Sequence, residues 1–199
     1  MNDTLYFPAD RALAAMGNTS RRWQNHLDMG KIFVPPDIDP VNSQGPGRGK
    51  LRRLSLEAIV QGAIAFALTD CGVDVREAYR VGAQFVYLGE IRGPFGHDET
   101  APLDPVLDRM AGKLFPDGET YLIFTVGDMA LHENRISIIS DKNPAFDTSR
   151  GVSAPSAVIY AADGESTAPR IILNLSHLCL QIASSLGINF TAAFLTEVQ

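Results

Sequence analysis

The chain has 199 residues, of which 45% are hydrophobic and 20% are charged, and it carries a formal net charge of −6. This composition is typical of a globular protein with one large or two small domains. No apolar stretch approaches the roughly 18 residues that a transmembrane helix needs, and the polar start MNDTLYFPAD is unlike a signal peptide. We therefore expect a cytoplasmic protein that does not enter a membrane.

Charge is divided unevenly along the chain. Residues 1–92 carry 11 Lys and Arg against 10 Asp and Glu, a net charge of +1, whereas residues 93–199 carry 6 against 13, a net charge of −7. Basic residues also cluster, because four of them fall within the six positions from Arg48 to Arg53. This asymmetry favours a nucleic-acid-binding module joined to an acidic partner domain.

The first predicted elements are two helices joined by a short turn. Pro8 lies near the start of the first helix, about 8–16, and Gly17 lies just past its end, which are positions that these residue types favour. Thr19 or Ser20 then caps a second helix, about 20–29, which ends at a glycine. Because only about three residues separate the helices, the pattern indicates a helix-turn-helix.

The second helix is predicted to have one core side and one polar side. At 100° per residue, Trp23 and Leu27 fall together on the side expected to face the core. The opposite side carries polar residues, with Arg22 on the flank, and they are Arg21, Gln24, Asn25 and Asp28.

The next segment predicts a two-stranded wing. Residues 31–34 and 50–54 have the composition of strands, and the loop between them, 35–49, is long and rich in glycine and proline. Its end is basic, so the predicted wing presents positive charge.

Two further helices are predicted after the wing. Ser55 caps a helix whose apolar residues follow the 3.6-residue period as far as Cys71 and Gly72. Asp74 begins a second helix, in which Val75, Ala78, Tyr79, Gly82 and Phe85 are predicted to line the inner face.

The remainder predicts a linker and a small α+β domain. Residues 89–102 are rich in glycine, proline and acid, which is typical of a linker. Residues 103–199 are predicted to form an α+β domain with a mainly antiparallel sheet, which serves dimerisation or effector binding. Its predicted elements are a short helix (104–114), four strands (120–126, 135–140, 156–162 and 170–175) and a final helix capped by Ser176 that ends before Gly187.

Three stretches resemble the winged-helix DNA-binding domain of the MerR family. They are MGNTSRRWQNHLDMGKI (16–32), RRLSLEAI (52–59) and CGVDVREA (71–78), which are similar, in this order, to the family's recognition-helix segment, wing-closing segment and turn into the fourth helix. The resemblance covers about residues 6–85, and the C-terminal part resembles no family that we recognise. It implies that residues 1–88 form an all-α winged helix-turn-helix domain with a two-stranded wing.

These observations together predict a DNA-binding transcriptional regulator of bacterial or phage type. A helix in the major groove needs donors that reach phosphates and base edges, and basic wing residues supply affinity through the backbone. A homodimer is expected, because one such domain covers only a half-site, and an effector, either a small molecule or a protein, is expected at the C-terminal domain. The predicted DNA contacts are Thr19, Ser20, Arg21, Arg22, Gln24 and Asn25 on the helix and Arg48, Lys50, Arg52 and Arg53 on the wing.

Two alternative functions remain open. One is a phage-type DNA accessory factor, similar to an excisionase or a terminase component, and the other is a protein–protein adaptor that does not bind DNA. We expect neither an enzyme nor a cofactor, since the histidines and cysteines lack metal-ligand spacing and the sequence QGPGRGKL lacks the glycine and hydroxyl of a phosphate-binding loop. Cys71 and Cys179 lie in apolar stretches, and both are expected to be buried.

Overall fold

The computed structural model describes residues 5–28, 53–89, 104–128, 133–143 and 169–195. These residues form helices and two small antiparallel sheets, so the chain is a mixture of α and β structure. Contacts between residues group the chain into two compact units. The first unit comprises residues 1–88 and 178–193, and the second comprises residues 89–177 and 194–199.

The first unit is mainly helical. Its elements in chain order are β1 (Tyr6–Pro8), α1 (Ala9–Ala15), α2 (Ser20–Asp28), β2 (Arg53–Ser55), α3 (Leu56–Asp70) and α4 (Val75–Tyr87). The later elements of the chain are β3 (Thr120–Asp128), β4 (Glu133–Ser140), β5 (Arg170–Asn174), α5 (Leu175–Leu186) and α6 (Phe190–Phe194). Within the described part of the chain, no helix is long and apolar enough to span a membrane.

A strand that the sequence did not predict opens the first unit. β1 pairs antiparallel with β2, so that Phe7 lies opposite Leu54, and both of these side chains are buried. The predicted second wing strand, 50–54, therefore overlaps β2, which pairs with the start of the chain. The predicted strand at 31–34 and the loop at 35–49 lie outside the described residues.

The helix caps of α3 and α4 confirm the sequence prediction. The Oγ of Ser55 accepts a hydrogen bond from the Ala58 amide at 3.2 Å, and α3 then runs to Asp70. The Asp74 carboxylate accepts from the amides of Arg76 and Glu77 at the start of α4. Side-chain oxygens thus satisfy amides that the first turn of each helix leaves without a helical partner.

The two helices α3 and α4 pack at very close range through Gly82. A Cβ at this position would lie 2.7 Å from the backbone oxygen of Gln61 on α3. Gln61 itself is buried, and its Nε2 donates to the backbone oxygen of Tyr79 at 3.1 Å. The absence of a side chain at Gly82 therefore lets the backbones approach and lets Gln61 bond across the interface.

The second unit contains a three-stranded antiparallel sheet with the order β4-β3-β5. The central strand is buried on both faces: Tyr121 and Ile123 pack with Ile139 and Ile172 on one face, while the alternate residues Leu122 and Phe124 are also buried. The predicted strands 120–126, 135–140 and 170–175 are confirmed with small shifts of their ends. The fourth predicted strand, 156–162, lies outside the described residues.

Three local predictions were wrong. Residues 104–114 form turns instead of a helix, because the Asp104 carboxylate accepts from the Val106 and Leu107 amides in a local turn. Asn174 caps α5 through its bond from the His177 amide at 2.8 Å, whereas the Ser176 hydroxyl accepts from Thr120. Cys71 is exposed, since it lies just beyond the end of α3, while Cys179 is buried as predicted.

The apolar residues that follow α5 include the short helix α6, which ends at Phe194. Within the second unit, Phe194 is buried and its backbone oxygen accepts from the Leu114 amide at 2.8 Å. The preceding segment, 178–193, groups with the first unit, although the sequence placed all of 103–199 in one domain.

Replacing Gly82 with alanine should destabilise the protein. Alanine is the better helix former by about 1 kcal/mol, but its Cβ would force α3 and α4 apart, at a cost of about 1–3 kcal/mol. Urea unfolding should therefore show a net loss, whereas Arg76→Ala, at an exposed site on the same helix, should change stability by less than about 0.5 kcal/mol. A gain in stability from Gly82→Ala would contradict the close packing.

The two cysteines should differ in reactivity. Burial raises the pKa of the Cys179 thiol to about 12, and the thiolate is the reactive form, so a thiol reagent at pH 8 should modify only the exposed Cys71. In denaturant both cysteines should react. Cys71→Ala is the control, and it should abolish labelling of the folded protein; rapid modification of two thiols in the folded state would refute the assignment.

Candidate nucleic-acid interface

The turn between α1 and α2 fixes how the second helix leaves the first. Gly17 adopts φ +68°, a left-handed conformation that favours glycine. The amide of Asn18 donates to the backbone oxygen of Leu13 at 3.0 Å, which closes the end of α1. The Asn18 side-chain oxygen then accepts from the Thr19 amide at 2.7 Å. The connection is thus short and held by hydrogen bonds at both ends.

Thr19 provides the cap at the start of α2. Its Oγ1 lies 3.4 Å from the Arg22 amide, which donates to it, and its backbone oxygen accepts from the Trp23 amide at 3.2 Å. The sequence predicted either Thr19 or Ser20 as the cap. In the structure Ser20 is the first residue of the helix, so Thr19 is the cap. The Thr19 side chain is exposed.

One side of α2 packs on an aromatic cluster formed by Trp23, His26, Phe66 and Tyr79. Trp23 meets Phe66 edge to face with 6.2 Å between ring centroids, and His26 stacks on Phe66 at 5.1 Å. Tyr79 meets both α2 rings, at 6.4 and 5.7 Å. Trp23 is only 6% exposed and His26 only 7%. The prediction that Trp23 anchors the helix to the core is confirmed.

His26 was not predicted as part of this anchor. Its Nδ1 lies 3.3 Å from the Tyr79 hydroxyl, within hydrogen-bonding distance, so a polar ring is accommodated beside the cluster. The signal for its burial was present in the sequence, because residues three apart on a helix share a side and Trp23 already faced inward. Leu27 was also predicted to face the core, but its side chain lies outside the described part of the structure.

The cluster also changes the ionisation of Tyr79. Burial raises the pKa of Tyr79 well above its ordinary value of 10.0, and the positive charge of Arg22 opposes part of that shift. The Tyr79 hydroxyl therefore stays protonated even near pH 10, where a tyrosine in the unfolded chain ionises.

The opposite side of α2 faces outward. Arg21 and Asn25, which are one helical turn apart, are exposed, and Gln24 is half-buried. This arrangement agrees with the predicted polar side, which presents a guanidinium and an amide together. The side chains of Ser20 and Asp28 lie outside the described part of the structure.

Arg22 differs from its neighbours because its side chain lies against α3. One guanidinium nitrogen, Nη2, is 2.7 Å from the Thr69 hydroxyl oxygen and 2.7 Å from the Asp70 carboxylate. The guanidinium carbon lies 4.9 Å from the centroid of the Phe66 ring. The sequence predicts Arg22 on the flank of the helix, but its partners on α3 are more than forty positions away and leave no sign in the local pattern.

Only part of the predicted basic wing is described. Arg53 lies on β2 and its side chain is exposed. Arg48, Lys50 and Arg52 lie outside the described residues. Arg53 is therefore the one predicted wing residue whose position the structure describes.

A separate groove in the first unit, with a volume of about 520 Å³, lies between the end of α1 and α5. Its polar side chains are Gln181, Ser184 and Ser185, and no charged residue lines it. Among the residues that the structure describes, no group of histidine, cysteine or acidic side chains has the arrangement of a metal site. The charged outer side of α2 is the stronger candidate for a binding surface.

Comparison with known proteins gave no match: no protein-family model and no curated protein is significantly similar to this chain.

Alkaline pH should destabilise the first unit through its buried tyrosines. Burial, followed by the charge of Glu57, raises the pKa of Tyr87 to about 12, and the pKa of Tyr79 is raised too. Since the unfolded chain ionises its tyrosines near pH 10, stability should be fully present below that pH and should fall as pH rises towards 12.

The contribution of Tyr79 is tested with Tyr79→Phe. In urea titrations, the free energy of unfolding of this variant should fall less steeply between pH 10 and 12 than that of the unchanged protein. Tyr6→Phe removes the hydroxyl of an exposed tyrosine and is the matched control, and its slope should equal that of the unchanged protein. An equally steep fall in Tyr79→Phe would contradict the assigned burial of this hydroxyl.

Proposed function

We propose that the protein is a DNA-binding transcriptional regulator that places α2 in the major groove. The observation that carries the proposal is the division of α2 into two sides. Trp23 and His26 are buried in the first unit, while Arg21 and Asn25 face outward one turn apart. An anchored helix with exposed donors is what direct readout in the major groove requires.

The chemistry of the outer side suits DNA. A guanidinium can donate two hydrogen bonds to guanine or bind a phosphate, and a carboxamide can pair with adenine through both its donor and its acceptor. Arg21, Asn25 and Gln24 supply these groups, with Thr19 and Ser20 at the start of the helix for the phosphate backbone. The basic segment Arg48, Lys50, Arg52 and Arg53 would add backbone contacts, and Arg53 is exposed as that role requires.

The proposal includes a winged helix-turn-helix of the MerR type in residues 1–88 and a homodimer. The order β1, α1, α2, β2, α3, α4 supports the former, since a short turn joins the first two helices and the basic segment ends in a strand that precedes α3. The dimer follows from the need of such domains to bind paired half-sites. The second unit, which contains most of residues 103–199, would provide dimerisation or effector binding.

Arg21→Ala and Asn25→Ala should each weaken DNA binding. A DNA duplex is first obtained by in vitro selection with the full chain, and its affinity is then measured by fluorescence anisotropy at several salt concentrations. Loss of one specific contact is worth about 1–3 kcal/mol, so we expect affinity to fall about tenfold. Arg21→Ala should also reduce the slope of log K against log salt by about 1 if Arg21 contacts phosphate.

Lys142→Ala is the matched control for charge. Lys142 is exposed in the second unit, where it pairs with Asp117, so this variant loses one positive charge that does not belong to the first unit. It should bind the selected duplex with nearly unchanged affinity. The proposal is overturned if selection yields no preferred duplex, or if Arg21→Ala and Asn25→Ala both bind like Lys142→Ala.

The same selection separates a promoter regulator from an accessory factor. A dimeric regulator should select a palindromic sequence whose half-sites are about 10 base pairs apart, or a multiple of that distance. Selection of a single asymmetric site would favour the accessory factor, which uses the same helix without paired half-sites.

A further inference from the structure

The Arg22 side chain is held at three points by the last turn of α3. It donates to the Thr69 hydroxyl, it pairs with the Asp70 carboxylate, and it lies over the Phe66 ring at 4.9 Å. Thr69 in turn donates its hydroxyl proton to the Phe66 backbone oxygen at 3.0 Å, so its oxygen is oriented to accept from Arg22. The first turn of α2 is thereby tied to the last turn of α3.

These contacts differ in strength. The pair with Asp70 lies at the surface, since the Asp70 side chain is 64% exposed, and exposed ion pairs contribute little by themselves. Phe66, however, is only 3% exposed, and a guanidinium over a buried ring gains more from the interaction than one over an exposed ring. A cation near the carboxyl end of α3 is also favoured by the helix dipole. Together they hold a planar group in one orientation.

The contacts decide what Arg22 is free to do. To reach a DNA phosphate, the Arg22 guanidinium would have to break its contacts with the Thr69 hydroxyl, the Asp70 carboxylate and the Phe66 ring at the same time. Arg21, the preceding residue, is exposed, and among the described residues no comparable set of contacts holds its guanidinium. Arg21 and Arg22 are adjacent in the sequence, but only the guanidinium of Arg22 is held against α3.

We infer that Arg22 is a positioning residue, which fixes the angle of α2 on α3 so that Arg21 and Asn25 face the groove, and that it does not contact DNA. The inference rests on the proposed function for its effect on DNA binding. The attachment of α2 to α3 is a property of the free protein and is tested without DNA.

Two substitutions distinguish positioning from a phosphate contact. Asp70→Asn keeps the shape of the side chain but removes the charge that holds Arg22. If Arg22 positions the helix, the variant should bind the selected duplex about 3- to 10-fold more weakly; if Arg22 binds phosphate, freeing it and removing a negative charge should leave binding equal or tighter. Arg22→Lys keeps the charge but lacks the planar donors, so it should weaken binding as Asp70→Asn does.

Salt and specificity provide a readout that loss of stability alone would not change. Arg22→Lys and Asp70→Asn should leave the salt dependence of binding unaltered, because no phosphate contact is lost. Both should reduce the affinity for the selected duplex more than that for a random duplex, since a misaligned helix loses base contacts first. Equal losses on both duplexes would overturn the inference.

Trp23, the only tryptophan of the chain, reports on the free protein. It is buried beside Phe66, so acrylamide quenching of its fluorescence should increase in Arg22→Lys and Asp70→Asn, and Arg76→Ala should match the unchanged protein. Unchanged quenching in both variants refutes the positioning role whether or not the protein binds DNA. Increased quenching in a protein that binds no duplex would retain the attachment and refute the proposed function alone.

Discussion

The burial of Phe66 is the constraint on which the arrangement of the first unit depends. Trp23 and His26 of α2 and Tyr79 of α4 pack their rings against it, and Arg22 lies over its face. Aromatic pairs of this kind contribute about 0.5–1.5 kcal/mol each beyond burial. One side chain of α3 thus holds two other helices, so the position of the outer side of α2 follows from contacts made inside the unit.

The spacing of residues on α2 converts this core packing into a surface. Positions 22, 23 and 26 lie on neighbouring parts of the helix and all contact the aromatic cluster or its edge. Positions 21 and 25 are a full turn apart and are exposed. Anchoring on one side therefore leaves two polar residues in register on the other, and only a rotation of the helix by about half a turn would exchange the two sides.

Periodicity predicted the helices well and distant contacts poorly. The bounds of α3 and α4 followed from their capping residues, and the three predicted C-terminal strands that fall on described residues were found because their apolar runs are long. The strand β1 is only three residues long, and its partner β2 lies about 45 positions away, so local pattern held no sign of it. The turns at 104–114 resembled a helix because charged and apolar residues alternate there at helical spacing, whereas Asp104 bonds to nearby amides instead.

The prediction of the candidate surface was likewise limited to relations within one helix. Helical projection identified Arg21, Gln24 and Asn25 as one polar side and Trp23 as the anchor, since these relations lie within a single helix. It placed Arg22 on the flank, but the predicted DNA contacts included Arg22 together with Arg21, because the partners of Arg22 are on α3 and become neighbours only in the folded chain. Charge alone therefore does not distinguish an exposed arginine from one that contacts a neighbouring helix.

The pairing of α1 with α5 has a consequence for how the protein is made. The Arg11 side chain donates to the backbone oxygen of Leu186 at 2.6 Å, across 175 positions of sequence, and residues 178–193 belong to the same unit as residues 1–88. At the usual speed of translation, about 5–20 residues per second, the ribosome needs roughly 5–20 s to pass from one part of this unit to the other. During that interval Arg11 lacks its partner Leu186, and the unit is completed only when residues 178–193 emerge from the ribosome.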